Sequence, residues 1–183
     1  MPNYRQRLAI CVILSRSLDY LLGRTQPSGR DIAYGLDHGL LDPSLPSRLA
    51  RHRRTGMEPL DSPLWTLADQ SADEPTSFLV AQLAALEPPA SEASIRKRWY
   101  ALLLLHLADL APPDPLPHLE EIWCTFEHPA ELSRFIPYMP AEDPLVVTRK
   151  TRTEILQAMR EAWVSCAMSQ RPLWLRCLAG SGV

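Results

Sequence analysis

Apolar residues in this 183-residue chain recur every three or four positions, and no segment of six or more residues alternates cleanly between apolar and polar side chains. Recurrence at that spacing is typical of helices, whereas strict alternation is typical of strands. The 18 prolines agree with helices, because Pro43, Pro63, Pro75 and Pro129 each follow a polar residue and open an apolar-periodic segment. Proline is tolerated in the first helical turn, where its missing N–H would have no partner. The pattern predicts an all-α fold, a single-domain bundle of about eight or nine helices with proline-punctuated loops.

Nine segments carry the helical period. They cover residues 4–22, 29–38, 43–54, 63–70, 75–86, 91–110, 116–125, 129–135 and 152–168. The segment 91–110 has the widest apolar face, so Trp99, Leu103 and Leu107 are predicted to be largely buried in a central helix. In the fifth segment the predicted inward face consists of Phe78, Leu79, Gln82, Leu83 and Leu86. We expect residues 1–170 to form one helical domain and residues 171–183 to form a partly flexible C-terminal tail.

Charge is distributed unevenly along the chain, although the formal net charge is only −2. Residues 109–143 hold eight acidic residues and one Arg, whereas residues 1–58 hold nine Arg and five acidic residues, and residues 146–183 are again basic. An acidic surface attracts basic partners and speeds their association. Alternatively, the basic terminal helices pack beside the acidic segment and neutralise it. Salt bridges to this acidic segment would also explain the basic run Arg96-Lys97-Arg98 near the start of a helix.

The segment 119–140, LEEIWCTFEHPAELSRFIPYMP, combines four of these eight acidic residues with aromatic ones. Its aromatic residues are Trp123, Phe126, Phe135 and Tyr138. Rings interleaved with carboxylates suit a surface that binds a basic protein, because rings bury much area at a low cost in conformational entropy. The predicted partner-binding residues are Glu120, Glu121, Glu127 and Glu131. The alternative is that Trp123, Phe126 and Phe135 are core residues and only the carboxylates face water.

The four cysteines, Cys11, Cys124, Cys166 and Cys177, are far apart in the sequence and form no Cys-x-x-Cys pair. The spacing favours neither a zinc site nor a redox motif, so we expect free thiols and a cytoplasmic protein without a metal or cofactor. The apolar run 8–14, LAICVIL, is short and lacks a cleavage site of small residues. It therefore indicates the buried face of a first helix rather than a signal peptide.

No nucleophile elbow, phosphate-binding loop or dinucleotide-binding turn occurs in the chain, so no catalytic residue is predicted. An alternative remains open, because His106-x-x-Asp109 and His118-x-x-Glu121 each place two titratable side chains on one helix face. If these four residues converged in a pocket, they would form an enzyme site. Nucleic-acid binding is disfavoured by the sequence pI near 6.2.

Three stretches give the chain a resemblance to a known family. They are DIAYGLDHGLLDP (31–43) after an early helix that ends at a glycine, RWYALLLLHL (98–107), and EIWCTFEHPAELSRFIPYMP (121–140). Across roughly residues 15–165 the chain resembles a bacterial family of small uncharacterised proteins often found beside polymorphic or contact-dependent toxin genes. It departs from the family pattern at Glu127-His128, where a more aromatic pairing is expected. The resemblance implies a helical cytoplasmic protein and an immunity function, and it transfers no functional residues.

The leading hypothesis is a non-catalytic binding protein, an immunity protein that neutralises a toxin domain through the acidic-aromatic segment. The partner would be a basic protein domain, with no membrane and no nucleic acid involved. The alternatives are the enzyme site around His106, Asp109, His118 and Glu121, and a helical regulatory adaptor.

Overall fold

The computed structural model describes Tyr20 and residues 23–53, 62–70, 77–139 and 151–179. In these ranges the chain forms eight α-helices and no strand, so the all-α prediction is confirmed. The helices are α1 (Gly29–Asp37), α2 (Leu45–Arg53), α3 (Pro63–Asp69), α4 (Ser77–Ala85), α5 (Glu92–Leu110), α6 (Leu116–Thr125), α7 (Ala130–Ser133) and α8 (Arg152–Ala179). None of the helices in these ranges is both long enough and apolar enough to cross a bilayer. The predicted first helix, 4–22, lies almost wholly outside the described residues.

Two helix boundaries differ from the prediction for identifiable reasons. Helix α2 begins at Leu45 rather than Pro43, because the Asp42 carboxylate accepts hydrogen bonds from the Ser44 N–H (2.8 Å) and hydroxyl (2.6 Å) and holds a turn there. Helix α8 runs to Ala179 instead of ending near residue 168, although Pro172 lies inside it. The buried Trp174 stacks on Trp163 of the same helix at 6.0 Å between ring centroids, and burial of the two rings favours continuing the helix past the proline. The separate tail at 171–183 stays a prediction.

The chain divides into two compact units, Met1–Trp99 and Tyr100–Val183. In the first unit α1 packs against α4, and α3 packs against both α2 and α4. Arg51 near the end of α2 donates hydrogen bonds to the carbonyls of Ala68 (2.7 Å) and Gln70 (3.2 Å) at the C-terminus of α3. A cation there complements the negative end of the helix dipole. Arg51 thus supports the end of a neighbouring helix.

Asp31 connects α1 to the beginning of α5. Its carboxylate forms a capping box with Ser28, whose N–H donates to Oδ2 at 2.9 Å. Its other oxygen accepts two hydrogen bonds from the Arg98 guanidinium, at 2.5 and 3.0 Å, and its carbonyl accepts one from the Trp99 indole at 2.9 Å. The expectation that the run 96–98 pairs with the acidic segment is therefore wrong for Arg98, which binds a carboxylate of its own unit.

Glu87 caps the N-terminus of α1 from outside that helix. Its carboxylate oxygens accept hydrogen bonds from the backbone N–H groups of Gly29 at 2.8 Å and Arg30 at 3.3 Å. The first N–H groups of a helix lack intrahelical partners, and the positive end of the dipole favours an anion there. Glu87 thus fixes the loop between α4 and α5 against the start of α1.

Helix α5 is buried on every side over two turns. All seven residues from Ala101 to Leu107 are at most 9% exposed. Trp99, Leu103 and Leu107 are among the buried residues of α5, as the apolar pattern predicts. A helix that is apolar around its whole circumference belongs in a core.

The inward face predicted for the fifth segment is correct at Leu83 and wrong at Phe78, Gln82 and Leu86, which are exposed. Helix α4 buries Val80 and Leu83, whereas Phe78 and Leu86 are each 70% exposed. Val80 and Leu83 are three residues apart and face α1 and α3, which are the helices that α4 contacts. The segment is apolar on nearly all sides, so its period alone does not identify the buried face.

In the second unit α6 contacts α7, and aromatic rings attach α8 to the segment that follows α6. Phe135, which is fully buried, meets the Trp163 ring edge-on at 5.8 Å. Phe126 lies 5.3 Å from the Tyr100 ring of α5. Aromatic pairs at these separations add stability beyond the area that they bury. The second unit is thus organised around a cluster of rings.

Gly35 allows α1 to approach Trp99 closely, and this contact generates a stability prediction. A Cβ atom at position 35 would lie 2.7 Å from Trp99 Cζ2 and 2.8 Å from the Leu41 side chain. Replacing Gly35 with Ala should lower the free energy of unfolding by about 1–3 kcal/mol through overpacking, measured by urea denaturation. Gly23→Ala is the matched control, because a Cβ atom there meets nothing within 4 Å. Equal stability of the two variants would contradict the close approach.

Candidate protein-interaction surface

Helix α6 has one buried side and one side that carries carboxylates. Leu116, Leu119, Ile122 and Trp123 are buried. Glu120 and Glu121 are half-buried, and Cys124 is exposed. The buried positions recur at helical spacing, so the intervening residues must turn outward. Glu120 and Glu121 therefore lie on the outer side of α6.

Two other acidic residues of the 109–143 segment are neutralised by α8. The Arg171 guanidinium forms an ion pair with Asp109. The Arg160 guanidinium binds both oxygens of Asp114, at 3.1 and 3.2 Å. The hydrogen bond from Arg160 is the main cause that lowers the pKa of Asp114 below its usual value. Neutralisation of the acidic segment by a terminal helix therefore occurs, and it reaches Asp109 and Asp114.

Glu120 and Glu121 lie in a different environment, beside Cys124 and Tyr138. Desolvation, followed by the charges of Glu120 and Glu121, raises the pKa of the Cys124 thiol. Desolvation, followed by the charge of Glu120, raises the pKa of the Tyr138 phenol. In the part of the chain that the structure describes, Glu120 belongs to no ion pair. Both neighbouring acids thus respond to a local negative field that no described cation cancels at Glu120.

The aromatic residues of the segment divide sharply by exposure. Trp123, Phe126 and Phe135 are 8%, 7% and 0% exposed, so all three are core residues, as the alternative interpretation states. Tyr138 is 61% exposed, and its ring meets Trp123 edge-on at 6.3 Å. The aromatic part of the surface is therefore Tyr138, supported from behind by Trp123.

Glu127 and His128 form an unusual end to α6. Their φ angles are +61° and +63°, in the left-handed region that glycine prefers. The His128 N–H donates to the Trp123 carbonyl at 2.8 Å, which is the long hydrogen bond of a Schellman motif, with Glu127 at the position usually occupied by glycine. The exposed His128 ring lies 4.1 Å from the Trp123 ring. Two non-glycine residues in this conformation cost backbone strain, and strain of this kind concentrates at functional sites.

Glu131 has neighbours different from those of Glu120 and Glu121. It lies in the first turn of α7 and is exposed. Burial, followed by the charge of Glu131, raises the pKa of the Tyr100 phenol above its ordinary range. The nearby Arg134 lies over the Phe135 ring at 4.8 Å and donates to the Cys166 sulfur at 3.1 Å. Glu131 therefore lies near Tyr100. A single surface shared by Glu120, Glu121, Glu127 and Glu131 stays a prediction.

The four residues of the alternative enzyme site occupy separate environments. His106 is buried in α5, Asp109 is paired with Arg171, and Glu121 acts on Cys124. The charge of His118 contributes to the lowered pKa of Asp114, after the larger effects of Arg160 and the Leu116 N–H. Among the residues that the structure describes, no three His, Cys, Asp or Glu side chains are close enough to hold a metal ion. Cys124, Cys166 and Cys177 are free thiols, and Cys11 lies outside the described ranges.

Cys124 and His128 are the parts of this surface that the sequence did not indicate. Cys124 is exposed, and the charges of Glu120 and Glu121 act on its thiol. The available signal was its position, because it follows Glu120 by four residues on the outer side of α6. The tilted contact of the His128 ring with Trp123 depends on the left-handed turn, and no local sequence pattern predicts that turn without a glycine.

The strained turn after α6 predicts a stabilising glycine substitution. Glu127→Gly should be more stable than Glu127→Ala by about 0.5–1 kcal/mol, because both variants remove the side chain and only glycine relieves the left-handed conformation. Chemical denaturation of the two variants measures the difference. If Glu127→Ala were as stable as Glu127→Gly, residue 127 would carry no backbone strain.

Comparison with known proteins identifies the family of the chain. The model of a family described as "uncharacterized protein conserved in bacteria" (DUF2247) matches residues 23–165. No curated protein and no solved structure matches the chain. The matched range contains α1–α7, the start of α8 and the whole acidic-aromatic segment. The chain therefore belongs to this bacterial family.

Proposed function

We propose that this protein is a non-catalytic binding protein and that it docks a basic protein domain on the outer side of α6. The proposed contact residues are Glu120 and Glu121 together with the exposed ring of Tyr138. Glu127 and Glu131 are proposed to extend the negative surface. In its most specific form, the proposal is that the protein acts in the cytoplasm as an immunity protein that neutralises a toxin domain.

The supporting observation is the negative field around Cys124 and Tyr138. The carboxylates of α6 disfavour the anionic forms of both neighbours, beyond the effect of desolvation. Glu120 contributes to the field at both positions and has no ion pair among the described residues, in contrast to Asp109 and Asp114, which bind arginines of α8. A basic partner would supply positive charge beside Glu120.

The geometry of Tyr138 supports a protein partner rather than a simple ion. A largely exposed tyrosine held against a buried tryptophan presents a rigid apolar ring beside a carboxylate. Tyrosine is enriched at protein interfaces because it buries much area and loses few rotatable bonds. A carboxylate beside such a ring suits the aliphatic stem and charged head of a lysine or arginine side chain.

The proposed toxin class follows from the charge of the surface. Enzymes that cleave nucleic acids bind phosphates through basic clefts. An acidic protein surface occupies such a cleft by mimicking the charge of the phosphate backbone, and electrostatic attraction accelerates the encounter. A helical regulatory adaptor with a basic partner would use the same surface and is separated from immunity by the growth test below. No observation favours the alternative enzyme site.

Charge reversal at Glu120 and Glu121 tests the surface. In a strain that expresses a toxic product of a gene next to the one encoding this chain, the wild-type protein should restore growth. Glu120→Lys/Glu121→Lys should fail to restore it and should slow association with the purified toxin domain about tenfold at low salt, with a smaller effect at high salt.

The matched control is Asp37→Lys/Glu92→Lys, which changes net charge equally at two exposed residues of the first unit. It should protect as well as the wild-type protein does. Equal protection by both double variants would exclude the α6 surface as the interface. If neither adjacent gene product stops growth, or if the wild-type chain gives no relief, the immunity function itself is wrong.

A further inference from the structure

Helix α8 carries an exposed apolar stripe flanked by opposite charges. Val164 is 57% exposed and Met168 is 74% exposed. Glu161 precedes them and Arg171 follows them, and the spacing 161, 164, 168, 171 places all four on one helix face. Large exposed apolar side chains in a row mark an interaction site.

A groove of about 370 Å³ lies beside this stripe, within the second unit. One wall is the proline-rich loop after α5, which includes Pro112 and Pro113, and the other is α8, with Val164, Met168 and Arg171. Prolines make the first wall stiff, since their φ angles are fixed. The groove is therefore a preformed, mostly apolar recess that can receive a side chain from a docked helix.

The order of residues on the stripe is its own complement when reversed. Residue 166 is the midpoint between Val164 and Met168, and it is also the midpoint between Glu161 and Arg171. If a second α8 lies antiparallel with the two-fold axis at residue 166, Glu161 faces Arg171 of the second copy and Val164 faces its Met168. A two-fold interface requires this self-complementarity, because the same patch is used on both sides.

We propose that the α8 stripe is a homodimer interface, in which two copies of this chain pair α8 antiparallel and each inserts Met168 toward the groove of the other. Two charge pairs, Glu161 to Arg171 in each direction, fix the register. Two apolar contacts between Val164 and Met168 fill the centre.

The existing ion pair of Arg171 is compatible with this arrangement. Arg171 binds Asp109 of its own chain, while its side chain keeps 39% of its surface accessible. A guanidinium has five N–H donors, so it can bind a second carboxylate at the same time. Asp109 also holds the guanidinium in place, which reduces the entropy that dimerisation would cost.

The opposite side of α8 is occupied within the chain. Trp163 and Trp174 are buried, and the Cys166 sulfur accepts a hydrogen bond from Arg134. Thus the stripe on α8 is the side that points away from its own core. A second copy of α8 fits the stripe better than an unrelated helix does, because its own charged and apolar residues already occupy the complementary positions.

Sedimentation velocity over a range of concentrations tests the proposal on the full chain. The wild-type protein should show a concentration-dependent monomer–dimer equilibrium. Met168→Glu should be monomeric at every concentration at which the wild type dimerises, since two carboxylates would enter an apolar contact. Ala162→Glu is the matched control, because Ala162 is exposed on the same helix but lies roughly 160° around it from Val164. It should dimerise like the wild type.

A charge exchange distinguishes this register from any other. Glu161→Arg should weaken dimerisation about tenfold or more, because the introduced guanidinium would then oppose Arg171 of the second copy. Mixing Glu161→Arg with Arg171→Glu should restore a heterodimer. The introduced guanidinium of one variant then faces the introduced carboxylate of the other, and the unchanged Arg171 faces the unchanged Glu161, so both pairs join opposite charges. The proposal would be overturned by a monomeric wild type, by a dimeric Met168→Glu variant or by a monomeric Ala162→Glu variant. It would also be overturned if the mixture of the two folded charge variants formed no heterodimer.

Discussion

The complete burial of residues 101–107 in α5 is the constraint on which the second unit depends. A helix that buries every side over two turns offers no surface to a ligand or partner. Each buried leucine contributes about 1.5–3 kcal/mol relative to an exposed one, so this segment favours any arrangement that keeps water away from it. The polar and charged side chains of the unit must then lie on the outer sides of α6, α7 and α8. The proposed binding surface lies on one of these outer helices.

Electrostatics differ between the outer helices because arginines of α8 reach only some of the carboxylates. Arg171 of α8 pairs with Asp109 at the end of α5, and Arg160 of α8 pairs with Asp114 in the loop after α5. Glu120 lies farther along the chain, on the outer side of α6, and its neighbours are a thiol and a phenol. Helix α8 therefore neutralises one part of the acidic segment, and among the described residues it forms no ion pair with Glu120.

Much of this arrangement could be predicted from local sequence. Helical period and proline positions identify the helices, and the Leu-rich run identifies the buried helix, because both signals depend on neighbours three or four residues away. The inward face of α4 could not be predicted, since Phe78 and Leu86 are as apolar as Val80 and Leu83 and only packing against α1 and α3 selects between them. The extension of α8 past Pro172 depends on the packing of Trp174 on Trp163, three turns earlier in the helix.

The candidate surface, too, could be predicted only where it depends on local helix geometry. The outward direction of Glu120 and Glu121 follows from helix geometry and could be predicted. The pairing of Arg98 with Asp31 and of Arg171 with Asp109 could not, because any acidic residue was an equally suitable partner by sequence. The exposure of Tyr138 but not of Phe135 likewise depends on contact with Trp163, a residue of another helix.

The central claim is that a negative field surrounds the outer side of α6, and the reactivity of Cys124 measures it directly. Peptide mapping measures how fast a cationic and an anionic methanethiosulfonate reagent each modify Cys124 in the folded protein. The ratio of the cationic rate to the anionic rate is then divided by the same ratio in the denatured chain. We predict that the normalised ratio favours the cationic reagent at low ionic strength, and that salt or Glu120→Gln/Glu121→Gln lowers it toward one. A normalised ratio of one in the folded wild-type protein at low ionic strength would contradict the claim.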